Sequence, residues 1–349
     1  MEKFLGRLLL ALATVLPAAL NGQTFQIRPA PEVDLPGPVD SNSPAHWSNG
    51  NFVLFNSEGS PFRSEGTDQF SLSATRGVTF LSRHPSPIWI EATLADDNGV
   101  LFAWYHHEPG GLCKGSDLTA PKIGALVSYD NGATFQDLGF ILQSGDPVDC
   151  SAQNGYFAGG NGDFTVIADA DHNYLYFLFS NYGGDVSSQG VAVARMAYSD
   201  RYWQQGAVWK YYNGDFTEVG LGGRVTPIFP ASVSWMQQDT DAYWGPSVHW
   251  NTALQQYVML LNHSCCSTGW PQEGIYVSSN PDLANPAGWS APQRVLDGFG
   301  WYPQVIGEDP AGTDKIAGAA SRLYVYGISA WELVVNPTPP DTPTLPDSQ

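Results

Sequence analysis

Gly162-Asp163-Phe164-Thr165-Val166-Ile167-Ala168, then Asp171-His172-Asn173, then Tyr174-Leu175-Tyr176-Phe177-Leu178-Phe179-Ser180 reads as a strand, a turn and a second strand rich in aromatics. The outline recurs. Asp40-Ser41-Asn42-Ser43-Pro44-Ala45-His46-Trp47 leads to Gly50-Asn51-Phe52-Val53-Leu54-Phe55-Asn56-Ser57, and Trp89-Ile90-Glu91-Ala92-Thr93-Leu94 turns at Asp97-Asn98-Gly99 into Val100-Leu101-Phe102-Ala103-Trp104-Tyr105-His106. Trp244-Gly245-Pro246-Ser247-Val248-His249-Trp250 pairs with Gln256-Tyr257-Val258-Met259-Leu260-Leu261-Asn262. A poorer fifth copy joins Trp301-Tyr302-Pro303-Gln304-Val305-Ile306-Gly307 to Arg322-Leu323-Tyr324-Val325-Tyr326-Gly327. Further strands follow these hairpins, such as Gly190-Val191-Ala192-Val193-Ala194-Arg195 and Gly274-Ile275-Tyr276-Val277-Ser278-Ser279. Two strand pairs per unit at uneven spacing predict an all-β fold, a five-bladed β-propeller over 23–335, with insertions between strands. A β-sandwich also alternates strands and turns; five recurrences of one outline favour the propeller.

Composition agrees. Aromatics (Trp 12, Tyr 16, Phe 17) suit half-buried pleated surfaces, Gly 37 and Pro 26 punctuate turns, and helical periodicity is nearly absent. Lys3 and Arg7, the apolar run Leu8 to Leu16 and the small residues that follow have the layout of an export signal over 1–22. The run is too short for a stable span; an uncleaved anchor is the alternative. A secreted or periplasmic protein is therefore expected, with a disordered Pro- and Thr-rich tail at 336–349. Fifteen Lys+Arg against 34 Asp+Glu give a net charge of -19, which disfavours nucleic acid and anionic membranes as partners. Of the four cysteines, Cys113 and Cys150 are favoured as a disulfide tying two loops together. Cys265 and Cys266 are neighbours with α-carbons about 3.8 Å apart, so a bridge between them is the strained option. Zinc is a weak rival, since His263 is the only close histidine.

Ser128-Tyr129-Asp130-Asn131-Gly132-Ala133-Thr134-Phe135 resembles an Asp-box, the turn of sialidases and other propellers, and Ser73 to Phe80 resembles a copy lacking the Asp. Ile275 to Leu283 followed by Gly288-Trp289-Ser290-Ala291-Pro292 resembles the blade phrase of five-bladed glycosidases, the arabinanase, β-xylosidase and invertase-like families. Trp244-Gly245-Pro246-Ser247 fits the same picture. The resemblance implies acidic residues at the starts of the inner strands of the first three blades, places held here by Asp40, Glu91 and Asp163. It further implies Asp40 as base or nucleophile, Asp163 as the orienting and pKa-setting carboxylate, and Glu91 as general acid. The sequence departs from the arabinanase pattern, which has an Asp on the second blade and the acid Glu on the third. No arginine triad supports a sialidase.

Glycoside hydrolysis needs two carboxyl groups of separated proton affinity. Simple alternation puts Glu91 on one side with Trp89 and Thr93, where an indole would raise its pKa; a Glu bonded to the backbone of a neighbouring blade is the plainer account. Asp163 follows Gly159-Gly160-Asn161-Gly162, an approach open to ligand, although Asp also forms turns. Asp40 in Asp-Ser-Asn-Ser-Pro is readily a turn former, and Asp241 is a reserve carboxylate. Trp47, Trp89, Trp104, Tyr243, Trp244, Trp301 and Tyr302 offer faces for sugar rings, most of them serving blade packing instead. His106 and His107 line the funnel, hold an axial ion, or are structural. The leading expectation is a secreted glycosidase acting on a neutral plant or microbial glycan, with no cofactor, a structural calcium left open though not indicated, working as a monomer. A non-catalytic carbohydrate-binding propeller and a purely structural propeller are the alternatives.

Overall fold

The structure, a computed structural model, describes residues 18–20, 23–298 and 300–337. The expected export segment falls outside these residues except for 18–20, as does the expected tail from 338 onward. Nearly all regular structure is β, and each predicted hairpin is the inner pair of one blade. Blade 1 begins with Ala45–Ser48 and Asn51–Ser57, blade 2 with Ile88–Ala95 and Leu101–His107, and blade 3 with Asn161–Ala168 and Tyr174–Asn181. Blade 4 begins with Ala242–Asn251 and Gln256–Ser264, and blade 5 with Gln304–Gly307 and Ala320–Val325. The fold is a five-bladed β-propeller. No helix among the described residues is long and apolar enough to cross a membrane.

Residues of one blade face alternate along each strand, so each face can bury an apolar layer against the next blade. Five apolar clusters fill the five interfaces. Val53 and Phe55 meet Ile88 and Tyr105 between blades 1 and 2, and Phe102 and Trp104 meet Phe164 and Phe177 between blades 2 and 3. Leu178 and Val193 meet Val248 and Met259 between blades 3 and 4. Val258 and Val277 meet Val305 and Leu323 between blades 4 and 5, and Ile306 and Tyr324 meet Phe52 and Leu54 across the last interface.

Blade 5 is not built from the C-terminal segment alone. Gln23–Asp34 pairs antiparallel with Ile328–Asn336, from Thr24↔Asn336 to Asp34↔Ile328. The ring is thus closed by one strand from each end of the chain. Hydrogen bonds also cross the axis: the Asn42 side-chain amide donates to the carbonyls of Phe164 (3.2 Å) and Pro246 (3.1 Å), joining blade 1 to blades 3 and 4.

In blade 2 the Ser128–Phe135 turn is internally bonded. The Asp130 carboxylate accepts from the Thr134 N–H (2.8 Å) and hydroxyl (2.7 Å), the Gly132 N–H donates to Ser128 Oγ (2.8 Å), and Phe135 is buried. A side chain at Gly132, where φ is 80°, would run into the Phe55 ring. Residues 73–80 form no matching hairpin: Ser73–Gly77 is the outer strand of blade 1, and Thr79–Phe80 runs parallel to Thr134 and Phe135 of blade 2. Cys113 and Cys150 form a disulfide between two loops, and Cys265 and Cys266 form a vicinal one.

Phe25 is fully buried among Val258, Val277 and Val335. Phe25→Ala is expected to destabilise the fold by about 3–5 kcal/mol, read as a lower denaturant midpoint with unchanged slope. A loss under about 1 kcal/mol would show that the first strand contributes little to ring closure.

Candidate active site

The inner strands of blades 2, 3 and 4 are each irregular near their starts. In blade 2 Ile90 opposes Tyr105 and Ala92 opposes Trp104, leaving Glu91 as the extra residue. In blade 3 Gly162 opposes Ser180 and Phe164 opposes Phe179, leaving Asp163 extra, with φ at 39°. In blade 4 the irregularity falls between Trp244 and Ser247, and Gly245-Pro246 stands where the other two blades carry carboxylates. A β-bulge re-aims the side chain it carries. It also breaks alternation: Ile90 packs toward blade 1 and Ala92 toward blade 3, so the two do not share a face as simple alternation predicts.

These bulges bring Glu91 and Asp163 together. Ligand atoms of Glu91, His106 and Asp163 all lie within 4.8 Å of one another, and all three residues are buried. Glu91 has no exposed surface. Its Oε1 is in close contact with His106 Nδ1, and its Oε2 accepts the backbone N–H of Phe164 in blade 3 at 2.9 Å. It is thus the glutamate bonded to a neighbouring blade's backbone that the sequence allowed. Burial alone would depress the His106 imidazole; the Glu91 charge, hydrogen bonds to Glu108 and Glu91, and nearby Asp163 override it and hold the pKa well above 6.5. The Trp89 ring stacks on His106 at 4.7 Å and 22°.

Asp163 Oδ2 accepts the Tyr182 hydroxyl, and its other oxygen accepts no hydrogen bond among the described residues. Burial, then the Glu91 charge, push its pKa up to about 7, against the opposing pull of His106 and Tyr182. Asp40, half-buried before the first strand of blade 1, belongs to the same group. Burial raises its pKa to about 6, with His106 opposing and Glu108 adding. The Trp89 indole N–H completes no hydrogen bond by geometry, yet lies near enough to Asp40 to favour its charged form. Tyr302 stays protonated far above neutrality, through burial and the charges of Asp163, Asp40 and Glu91.

Of the three carboxylates expected from the sequence, Glu91 and Asp163 are brought together beside His106, and Asp40 lies within electrostatic reach of the same His106 and of Trp89, with Tyr302 sensing all three. Glu108 was missed. Its Oε1 is 3.6 Å from His106 Nε2 and its side chain is about a quarter exposed; the signal was its position two residues beyond His106, which pairs with Trp89 across the hairpin. Tyr182 was missed too, because only the bulge reveals that it faces Asp163.

The other expected contacts lie elsewhere. Trp47 packs between blades 1 and 5, donating its N–H to the Gly312 carbonyl (3.0 Å). Asp241 and Tyr243 surround His263 in blade 4: Asp241 Oδ1 is 3.0 Å from Nε2, Glu273 Oε2 is 2.6 Å from Nδ1, and the Tyr243 ring lies 4.3 Å away. Trp244 is fully buried, with its N–H bonded to Ser264 Oγ (2.9 Å), so it offers no face to a sugar. It belongs to an aromatic layer of Phe157, Tyr182, Trp235, Trp244, Trp270 and Tyr302, with Trp301 packed against it. Nor is the glycine run before Asp163 open to ligand. A side chain at Gly160, where φ is 100°, would strike the Ala120–Pro121 backbone, and one at Gly162 would strike the Pro121 ring.

No protein-family model matches the chain, and no curated protein matches it. Solved structures do. The chain is similar to the endo-arabinase from Bacteroides thetaiotaomicron, with 12% identity, 89% of this chain and 98% of that chain covered, and a TM-score of 0.51. It is also similar to the α-L-arabinanase of Cellvibrio cellulosa complexed with arabinohexaose (10% identity, 87% and 92% covered, TM-score 0.49). A thermostable family-43 glycoside hydrolase gives 13% identity, 86% and 90% covered, and a TM-score of 0.49. At such identities the likeness establishes the fold, the five-bladed propeller of these glycoside hydrolases.

The buried acids give the stability a pH dependence of defined sign. Asp40 and Asp163 hold their protons to about 6 and about 7, above the ordinary 3.8. Between about pH 4 and 7 the folded chain therefore binds more protons than the unfolded one, and this contribution to stability is lost as pH rises. Asp163→Asn does not titrate, so it should gain stability relative to the parent from pH 4.5 to 8 in thermal melts. A difference that does not change with pH would contradict the raised pKa.

Proposed function

We propose that this protein is an exported glycoside hydrolase acting on a neutral plant or microbial glycan. The observation that carries the reading is geometric: Glu91 and Asp163, from blades 2 and 3, lie within 4.8 Å of one another beside His106, and Asp40 of blade 1 is within electrostatic reach of the same histidine. Burial raises both Asp40 and Asp163 above the ordinary carboxylate range, so the group can hold a proton near neutrality, as the acid of glycoside hydrolysis must. Asp163 protonates the leaving oxygen through the carboxyl oxygen not engaged by Tyr182, and Asp40 serves as the base or nucleophile at the anomeric carbon. Glu91 is a positioning residue: both its oxygens are engaged, and its charge adds to burial in keeping the proton on Asp163. This reverses the roles that the family resemblance implies for Glu91 and Asp163. The fold shared with arabinanases, which include one complexed with arabinohexaose, supports a carbohydrate substrate. Two disulfides and the N-terminal sequence support export.

A second reading, a carbohydrate-binding propeller without turnover, is favoured by one feature. Glu91 and Asp163 are 0% and 4% exposed.

Reducing-sugar release from a panel of neutral polysaccharides separates the two. A hydrolase should show a bell-shaped pH profile peaking between about 6 and 7, the limbs set by Asp40 and Asp163. Asp163→Asn and Asp40→Asn should each lower the rate by roughly 10²–10⁴-fold. Glu91→Gln should retain some activity, with its alkaline limb moved to lower pH because the charge that raises Asp163 is gone. No release from any substrate by a folded protein would leave the binding reading, and release unaffected by Asp163→Asn would remove Asp163 from the chemistry.

A further inference from the structure

A second concavity lies outside the carboxylate site, a groove of about 560 Å³ lined by Ser151, Gln153, Met236, Gln237, Gln238, Asp239 and Thr268. Three loops build it. The first runs from the Cys113–Cys150 disulfide into blade 3, the second joins blades 3 and 4, and the third follows the vicinal disulfide in blade 4. The walls are held by bonds to backbone carbonyls, none of them from a lining side chain. The Gln153 N–H donates to the Met236 carbonyl (2.8 Å), Asn154 ties the Phe157 and Trp235 carbonyls, and the Thr240 hydroxyl closes its turn on the Ser234 (3.3 Å) and Gln237 (3.0 Å) carbonyls. The lining amides are left over: among the described residues, the side chains of Gln153 and Gln237 make no hydrogen bond, and that of Gln238 meets only Thr268 at 3.5 Å.

We infer that this groove binds a neutral oligosaccharide, as a carbohydrate site separate from the carboxylates. An amide donates and accepts at once, as a sugar hydroxyl does, so three amides beside one carboxylate make a lining matched to a polyol, while the Ser151 and Thr268 hydroxyls already donate to Asp149 (2.6 Å) and Gln238 (3.5 Å). The groove carries no cation, and the protein's charge of -19 repels uronates and sugar phosphates. Met236 supplies an apolar floor. On the loop that carries Ser151 and Gln153, Tyr156 is 40% exposed and stacked on Trp270 at 4.9 Å. Trp235 and Trp270 separate the groove from Tyr182 and Asp163, so a chain bound here does not occupy the reacting site. The choice of ligand rests on the carbohydrate-acting reading above, though not on turnover.

The test uses the full chain and hexasaccharides of arabinan, galactan, xylan, mannan and glucan as probes, with affinity read by calorimetry. Gln153→Ala combined with Gln237→Ala should weaken binding of the preferred hexasaccharide roughly tenfold or more, with an unchanged melting temperature because both side chains are exposed. Gln237→Glu, a variant of similar size, should weaken it as well. Parent and groove variants are all compared in the Asp163→Asn background, so that turnover does not consume the probe. Parent-like affinity in both groove variants, or no binding of any probe without the groove substitutions, would each overturn the assignment. Binding that depends on the groove in a protein that releases no sugar would uphold the groove and remove only the hydrolase reading.

Discussion

The carboxylate of Glu91 holds the site together. One oxygen is paired with His106 on the adjacent strand of its own blade, the other with the Phe164 N–H of the next blade. Such a group is tolerated in the interior only because both oxygens are satisfied; removing one member of a buried pair of this kind costs on the order of 3–5 kcal/mol. Everything else at the site follows from that anchoring. The Phe164 contact fixes the bulge that turns Asp163 inward, and the charged His106 provides the face on which Trp89 lies and the field that Asp40 feels. Burial is the larger reason that Asp163 keeps its proton, and the negative charge that anchors His106 adds to it.

The inner hairpins were legible because strand periodicity and turn chemistry are local. Asp171-His172-Asn173 and Asp97-Asn98-Gly99 announce turns to their own neighbours without knowledge of the rest of the chain. The grouping of Asp40, Glu91 and Asp163 was legible as well, since each stands near the beginning of an inner strand and the ring gathers those beginnings. What escaped were features fixed by partners distant in sequence. A bulge is one residue of excess against a facing strand, so the paired alternation at Ile90 and Ala92 could not reveal it. The aromatic layer gathers Phe157, Trp235 and Trp270 from loops with no periodic signature, and Trp244, whose sequence context suggested a ligand face, is consumed by that layer. Glu108 was overlooked beside the two histidines.

That aromatic layer has two sides of different character. Tyr182 meets Asp163 beneath it, while Met236 and Trp270 adjoin an open polar groove above. Indole and phenol rings are stiff, so a displacement of the loops carrying Trp235 or Trp270 would be felt at the Tyr182 hydroxyl, and through it at the carboxyl group whose proton it helps to place.

The closing strand pair sets an order of events in the life of the chain. Thr24 and Asn336 are neighbours in the sheet although nearly the whole sequence lies between them. During synthesis the first strand emerges early, and the edge that faces Ile328–Asn336 has no partner until the last strand is released. Blades 1 to 4 can assemble as an open arc, but Ile27 and its neighbours wait for that interval on a strand with one long unpaired edge. A chain stopped short of Ile328 would keep that edge permanently, and its natural partner would be the same edge of another truncated copy.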